Sequence, residues 1–333
     1  MRLSARLGGT ICIVACMLAG ALAPAPVASR AAMGLTQVPQ MMNFFPEPEE
    51  GGEYAAVALG IYKKYGLDAP IASFPSTALN AIPYVASGKV VFGMAGADEV
   101  LQARQKGIPI VTLFAIYQTT EFGLMWHADD TTIRSLADLS NHPVIYIFGS
   151  PFWKYLEQKY HYHNVSSFNY DFSLRLFLAK KNAVNQVSVT SEPYLAMKSG
   201  AKVKAASLAT TGFNPYGNVV FTTEQEVQQH PDVVRAFVKA TLEGWHAYFK
   251  NPTPINRYMQ TADGSKNYPL TLDAMKFDVD QSRPLIIGGD AASGGIGAMS
   301  MMRWVTLKQQ LESVGITLDK VDISKAFTTT FLH

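Results

Sequence analysis

The sequence predicts two α/β lobes, and three observations lead to this fold class. Short continuous apolar runs alternate with helical stretches along most of the chain, as in parallel or mixed sheets covered by helices on both faces. The alternation restarts after "EFGLMWHADD", which indicates a second block of strands and helices. From "PDVVRAFVKATLEGWHAYFKN" onward the pattern is mostly helical. A chain of 333 residues with 48% hydrophobic content is long enough to give both lobes a core.

The first block opens with a helix in residues 49–68, "EEGGEYAAVALGIYKKYGLD", in which Gly66 occupies the place of a left-handed C-terminal cap. "APIASF" then predicts a strand, and Ser76 or Thr77 caps a helix that ends near Gly88. The strand "KVVFGMA", the helix "ADEVLQARQK" and the buried strand "IPIVTLFAIY" follow in order.

The second block repeats this alternation. "SLADL" predicts a short helix, "PVIYIF" a strand, and residues 150–160 a helix with Ser150 as N-cap and Pro151 in the first position. "SSFNYDF", "AVNQVSV" and "AKVKAASLA" predict strands, separated by helices at 173–181 and in "SEPYLAMKSG". Further helices are predicted in the tail at 253–262, 271–283 and 300–314.

The N-terminal segment, residues 1–32, is predicted to be a signal peptide. Two arginines precede an apolar run, and small residues follow in "APAPVASRAA", with cleavage near Ala28 to Ala32. The alternative is lipoprotein processing at Cys16 in "IVAC", against which the continued apolar residues count. Because Cys12 and Cys16 are the only cysteines, the mature protein has none under the first interpretation, and the predicted compartment is a bacterial periplasm.

Ligands of open α/β sheets gather where strands lead into helix N-termini, so the loops there contain the candidate binding residues. In "GSPFW", Ser150 and nearby N–H groups are candidates for a polar atom, with Phe152 or Trp153 against an apolar face. The alternative is a helix cap followed by two core aromatic residues. In "VTSEPY", Glu192 lies at a helix start ahead of Tyr194, either to accept hydrogen bonds from ligand N–H groups or to cap the helix.

Three other loops supply the remaining candidates. Gly52 lets the backbone approach a ligand, Tyr216 offers a ring, and Asn218 offers a paired donor and acceptor. Each of these loops also has a plainer interpretation as a turn or a helix entry. The candidates are Glu50, Gly52 and Tyr54 in "PEEGGEY", Tyr117 and Gln118 in "IYQTTEFG", and Tyr216 and Asn218 in "NPYGN".

No catalytic or metal-binding pattern emerges from the sequence. The nucleophile elbow, the phosphate loop and the zinc-protease helix motif are all missing. His161 and His163 lie two residues apart, but no third ligand is evident. A formal charge of +2 without basic runs gives no reason to expect nucleic-acid binding. We therefore predict no catalytic residue, no metal site and no cofactor.

Several segments in register resemble one family. "PEPEEGGEYAAVALGIYKKYGLD", "GSPFWKYLEQKY", "TSEPYLAMKSGA", "FNPYGNVVFTT" and "HPDVVRAFVKATLEGW" look like solute-binding proteins of ABC importers in the group for nitrate, sulfonates, taurine and thiamine-pyrimidine precursors. The match spans nearly all of residues 40–330. "EPEEGGEYAA" and "SEPY" are most similar to the pyrimidine-precursor branch.

The resemblance implies a type II periplasmic binding protein, with lobe I over 36–120 plus 220–333 and lobe II over 121–219, closing on a ligand at a hinge. Glu192 matches the family's lobe II carboxylate. The ring candidates are Tyr54, Tyr117, Phe152, Trp153 and Tyr216. The implied ligand is a small flat heterocycle, uncharged or weakly basic, and the implied partner is an inner-membrane ABC permease, with the protein itself a monomer. The alternatives are a sulfonate, nitrate, taurine or flavin-like ligand, a pyrimidine-synthesising or pyrimidine-modifying enzyme on the same fold, or a sensor kinase as partner.

Overall fold

The computed structural model describes residues 34–72 and 81–332. Strands lie at β1 (Thr36–Gln37), β2 (Gln40–Met41), β3 (Leu67–Asp68), β4 (Ile71–Ala72), β5 (Phe92–Ala95), β6 (Ile110–Tyr117), β7 (Phe122–His127), β8 (Pro143–Tyr146), β9 (Ser166–Asn169), β10 (Val184–Ser188), β11 (Val203–Ser207) and β12 (Gly217–Thr223). Helices lie at α1 (Gly51–Ala58), α2 (Ile61–Lys64), α3 (Ile82–Ala86), α4 (Ala97–Gln105), α5 (Pro151–Tyr160), α6 (Arg175–Ala179), α7 (Glu192–Lys198), α8 (Glu224–Gln229), α9 (Pro231–Lys250), α10 (Pro252–Met259), α11 (Leu272–Ile287), α12 (Ala291–Gly294) and α13 (Met301–Ser313).

The first large sheet has the strand order β4-β2-β5-β12-β6. β2 pairs in parallel with β4 and β5, whereas β12 runs antiparallel to β5 and β6, with Val219 opposite Ala95 and Ala115. Every residue of β5 and β6 is buried, because hydrophobic side chains cover both faces of the sheet. Phe92 packs with Phe237 of α9 on one face, and Ala95 belongs to the core around Trp304 of α13 on the other.

The second large sheet has the strand order β11-β7-β10-β8-β9. β8 pairs in parallel with β9 and β10, and β7 runs antiparallel to β10 and β11. Val144 and Leu156 belong to the core on one face, and Ile145 and Phe177 to the core on the other. Both sheets are therefore mixed, as the apolar runs predict.

Two chain segments connect the sheets, residues 118–121 between β6 and β7 and residues 208–216 between β11 and β12. They are hydrogen-bonded together, since Thr120 donates its N–H to Asn214 Oδ1 at 2.9 Å and Ser207 donates its hydroxyl to the Thr120 carbonyl at 2.9 Å. The chain thus passes from one sheet to the other at a single paired crossing. Its division into two hinged lobes at 120 and 220 remains a prediction.

Most of the predicted helices and strands are present in the structure. The opening helix is interrupted at Gly60 (φ 68°), before Gly66 (φ 79°). The helix predicted in "SLADL" is wrong: the chain makes a single turn there, in which the Asp138 N–H donates to the Ser135 carbonyl at 3.1 Å and the Asp138 carboxylate accepts the Ser135 N–H. The cap predicted at Ser76 or Thr77 lies outside the described residues.

The predicted signal peptide over 1–32 also lies outside the described residues, and so does the alternative lipoprotein site at Cys16. Within the part of the chain that is described, no helix has both the length and the apolar character needed to cross a bilayer.

Candidate functional site

Three glutamates cluster at the short 3-10 turn Pro48–Glu50 that precedes α1. Glu47, Glu49 and Glu50 are all buried, at 5%, 6% and 0% exposure. Close packing of α1 on α9 fixes this turn, since a Cβ atom on Gly52 would lie 2.1 Å from the Trp245 ring. The glycine in "EEGG" therefore serves helix packing, and the acidic residues ahead of it are held beneath the surface.

Glu49 joins this turn to the second sheet. Its Oε1 atom accepts hydrogen bonds from Ser188 Oγ at 2.5 Å and Thr190 Oγ1 at 2.7 Å, both at the end of β10. The adjacent Glu192 begins α7, and its Oε2 accepts the Ser188 N–H at 2.8 Å and the Ser191 hydroxyl at 3.0 Å. A carboxylate packed beside the first sheet is thus bound by residues that belong to the second.

Asp278 of α11 approaches the same place from a third direction. Tyr117 at the end of β6 donates its hydroxyl to Ser282 Oγ at 2.8 Å, and Ser282 donates to Asp278 Oδ1 at 2.6 Å. Asp278 is 1% exposed, and its Oδ2 atom has no hydrogen-bond partner. Thr190 lies nearby, but the single proton of its hydroxyl is donated to Glu49.

Glu121, in the first crossing segment, completes the acidic set. It is fully buried, and neither of its carboxylate oxygens has a hydrogen-bond partner. A Cβ atom on Gly217 would lie 1.9 Å from Glu121 Oε2, so this carboxylate fills the space beside the glycine. Next along β12, Asn218 accepts a hydrogen bond from Asn43 Nδ2 at 2.7 Å and also lies by Glu49.

We call Glu47, Glu49, Glu50, Glu121, Glu192 and Asp278 the acid cluster. Burial raises the pKa of every member, because a carboxylate loses hydration inside the protein. Mutual repulsion adds to this: the charge of Glu49 further raises the pKa of Glu50, Glu121 and Asp278. Burial brings the pKa of Glu192 to about 7. Among the described residues, no ion pair involves the cluster.

Aromatic rings border the acid cluster. Phe44, which follows β2, lies 5.8 Å between ring centroids from Phe172, which follows β9, and 5.1 Å from Tyr268. Burial and then the charge of Glu192 raise the pKa of Tyr170 and Tyr268, which places both hydroxyls near that carboxylate. Phe172 is 57% exposed and has φ 60°, a left-handed conformation unusual for a bulky residue. We call Phe44, Tyr170, Phe172 and Tyr268 the aromatic group.

Four predicted site residues lie together at the acid cluster, namely Glu50, Tyr117, Glu192 and Asn218. Others lie elsewhere. Phe152 and Trp153 belong to a hydrophobic core, where Trp153 stacks 4.9 Å from Tyr146. Ser150 does precede α5, but its side chain makes no capping hydrogen bond.

The remaining candidates are also separate from the acid cluster. Tyr216 donates its hydroxyl to Asp290 and lies beneath the Arg303 guanidinium at 3.8 Å. Gln118 donates to the Ala298 carbonyl at 2.9 Å. Tyr54 is buried with its ring 6.4 Å from Tyr258, and Tyr194 has its ring 5.2 Å from Phe277. Gly52 packs on Trp245. A role for any of these residues in binding stays a prediction.

Sequence reasoning missed Glu47, Glu49, Glu121, Asp278 and the aromatic group. The run "EPEE" ahead of two glycines was a usable signal, since glycines at a helix entry permit close packing that can bury the residues beside them. Asp278 gave no comparable signal, because an aspartate inside an amphipathic helix looks like any solvent-facing residue.

Within the described residues, no group of histidine, cysteine, aspartate and glutamate side chains has the geometry of a metal site.

The family model described as NMT1/THI5 like matches residues 47–255. The chain is 25% identical over 320 residues to the riboflavin-binding protein RibY of Chloroflexus aurantiacus, covering 93% of this chain and 89% of that protein. It is 22% identical over 244 residues to the formylaminopyrimidine-binding protein of Halalkalibacterium halodurans, covering 71% and 73%.

Solved structures resemble the fold. The aliphatic sulphonate binding protein SsuA of Escherichia coli superposes with a TM-score of 0.67 at 13% identity, covering 87% of this chain and 91% of that one. The nitrate-binding protein NrtA of Synechocystis PCC 6803 gives a TM-score of 0.64 at 13% identity, covering 89% and 87%. The structural similarities and the two mixed sheets show that the chain has the fold of the periplasmic binding proteins. Because the family model matches residues 47–255, the chain belongs to the NMT1/THI5-like family.

Proposed function

We propose that this protein is the solute-binding component of an ABC importer and captures a small flat heterocycle, similar to a thiamine pyrimidine precursor, between its two lobes. One observation carries the proposal: Glu49, from the turn before α1, accepts hydrogen bonds from Ser188, the last residue of β10 in the second sheet, and from Thr190 just after it. A carboxylate in that position is available to ligand N–H groups when the sheets separate and is enclosed when they close.

The chemistry of the site favours a ligand with hydrogen-bond donors. Carboxylate oxygens only accept, and a hydrogen bond to a charged group contributes roughly 1.5–3 kcal/mol. Rings of the aromatic group would stack on a flat ligand, each adding roughly 0.5–1.5 kcal/mol beyond area burial. A sulfonate or nitrate would bring negative charge against Glu49, Glu192 and Asp278, so an anionic ligand is disfavoured.

The names of the relatives support the same class of ligand. One relative is named for riboflavin and another for a formylaminopyrimidine, and both are flat nitrogen heterocycles. The predicted signal peptide would deliver the protein to a bacterial periplasm, where an inner-membrane permease is the expected partner. A flavin-like ligand is the second candidate, because the RibY similarity covers 93% of the chain.

Substitution of Glu192 tests the proposal. Glu192→Ala removes a carboxylate at the start of α7, so we expect it to weaken binding of a formylaminopyrimidine or riboflavin at least tenfold in titration calorimetry. Lys239→Ala, an exposed change on α9, is the control and should bind as the native protein does. Equal affinities in the two variants would remove Glu192 from the site, and no binding of either compound by the native protein would contradict the proposed function.

An enzyme on the same fold is the rival from another class. Mass spectrometry of the compound recovered after incubation with purified protein separates the two functions. We expect the bound compound to be released unchanged, and a changed mass would favour the enzyme.

A further inference from the structure

The acid cluster concentrates negative charge from four separate parts of the fold. The turn before α1 contributes three carboxylates, and the first crossing, α7 and α11 contribute one each. The titratable groups that face one another there are Glu47, Glu49, Glu50, Glu53, Glu121, Glu192, Asp278, Tyr117, Tyr170, Tyr248 and Tyr268. None of the ion pairs in residues 34–72 and 81–332 supplies a positive partner.

Neighbouring hydroxyl groups do not satisfy these carboxylates. Ser188 and Thr190 each have one proton, and both protons are donated to Glu49 Oε1. Ser282 donates its proton to Asp278 Oδ1. Glu50 Oε1, both oxygens of Glu121 and Asp278 Oδ2 are left buried without a partner. Buried polar atoms normally have a hydrogen-bond partner, so several orphaned oxygens in one place call for a donor from outside the described chain.

We propose that the ligand binds as a cation, with a protonated nitrogen held between Glu49 and Asp278. This inference rests on the proposed function and adds the charge of the bound ligand to it. Glu49 and Asp278 come from two elements that pack together, the turn Pro48–Glu50 and α11. Glu49 is tied to β10 through Ser188, and Asp278 is tied to β6 through Ser282 and Tyr117. A positively charged nitrogen between them would offset the repulsion between the two carboxylates, which a neutral ligand would not do.

Proton release should accompany binding. In the empty protein, burial and mutual repulsion raise the pKa of Glu49 and Asp278, so these carboxyls hold protons more readily than exposed ones. A cation favours the ionised form and displaces such protons. Affinity for a cation that stays protonated throughout should therefore rise as the pH increases from 5 to 7.5, by up to about tenfold per pH unit for each proton released.

Two pairs of isosteric probes test the charge of the ligand. 4-Aminopyridine is a flat cation at neutral pH, and 4-pyridone has the same size without the charge; 4-aminoquinoline and 4-quinolone form a larger pair. Titration calorimetry of the full mature protein at pH 7.5 should give at least tenfold tighter binding of the cation in one or both pairs. Repeating the titration in two buffers with different ionisation heats should reveal net proton release.

Two variants assign the preference to specific carboxylates. Glu49→Gln and Asp278→Asn keep the side-chain shape and remove the charge, so each should reduce the preference for the cation to less than threefold. Glu157→Gln, an exposed change on α5, should leave the preference unchanged. If one amide variant fails to fold, the other and the native protein still decide the question.

The outcomes separate this inference from the proposed function. Equal or tighter binding of the neutral member of a pair, or binding without proton release, would overturn the cationic ligand. The same holds if neither cation binds while riboflavin or a formylaminopyrimidine does. If none of these compounds binds, the proposed function fails together with the inference.

Discussion

Gly244 of α9 packs so closely against the backbone of α1 that there is no room for a side chain at this position. A Cβ atom there would lie 2.2 Å from the Gly52 carbonyl oxygen and 2.9 Å from Ala56 Cβ. Backbone cannot move aside as a long side chain can, so the two helices would have to separate. Because α1 begins directly after Glu50, the position of the acidic turn depends on this contact.

Gly244→Ala is therefore expected to destabilise the protein by about 1–3 kcal/mol, even though alanine has the higher helix propensity. Chemical denaturation followed by circular dichroism measures the change. Lys239→Ala lies on the exposed face of the same helix and should stay within about 0.5 kcal/mol of the native protein. Stabilisation by Gly244→Ala would contradict the close packing of α1 on α9.

At the scale of elements, the helix boundaries that the sequence predicted correctly are set by residues close to them in the chain. Helix α5 begins at Pro151, and α7 ends just before Gly200, which has φ 84°. Caps, prolines and glycines act on their own neighbours, so such boundaries can be predicted without the tertiary structure. "SLADL" forms only a single turn, in which the Asp138 N–H donates to the Ser135 carbonyl, because a segment this short does not sustain a helix by itself.

The residues of the candidate site were harder to predict, because the tertiary structure decides which loops lie next to one another. Tyr117 and Trp153 both lie in aromatic stretches near strand ends, yet Tyr117 joins the acid cluster and Trp153 stacks in a core. Asp278 reaches the cluster only because α11 packs beside β6. The hydrogen bond from Tyr117 to Ser282 joins residues 165 positions apart, and no local pattern encodes it.

The chain of hydrogen bonds from β6 to α11 leads to a prediction at the same scale. Tyr117→Phe and Ser282→Ala each interrupt the path from Tyr117 to Asp278 and leave a buried partner unsatisfied, which costs about 1–3 kcal/mol. A double-mutant cycle by chemical denaturation should give a coupling energy of at least about 0.5 kcal/mol. Additive effects would indicate that the two hydroxyls do not interact.

At the scale of the whole molecule, negative charge on the acid cluster destabilises the arrangement in which Glu49 joins the two sheets. Five buried carboxyls and the half-buried Glu192 share one region, and the hydroxyl groups around them satisfy only some of their oxygens. Burial of a charge without a partner is destabilising, so the ligand-free protein keeps this arrangement best when these carboxyls are protonated. A ligand with donor groups would reduce the repulsion between these carboxylates. Ligand binding should therefore also stabilise the folded protein.

The stability of the ligand-free protein should consequently fall as the pH rises. For a carboxyl whose folded pKa is raised, stabilisation is complete below the unfolded pKa, near 4.5, and is lost as the pH passes the folded pKa. Burial raises the pKa of Glu192 to about 7, and that of Glu53, a buried residue of α1 outside the acid cluster, to about 8. Melting temperatures recorded from pH 5 to pH 8 should therefore decrease. Glu192→Gln should decrease less steeply, whereas the exposed change Glu157→Gln should follow the native curve. A native curve that rises over this interval would mean that the buried carboxyls do not keep their protons in the folded protein.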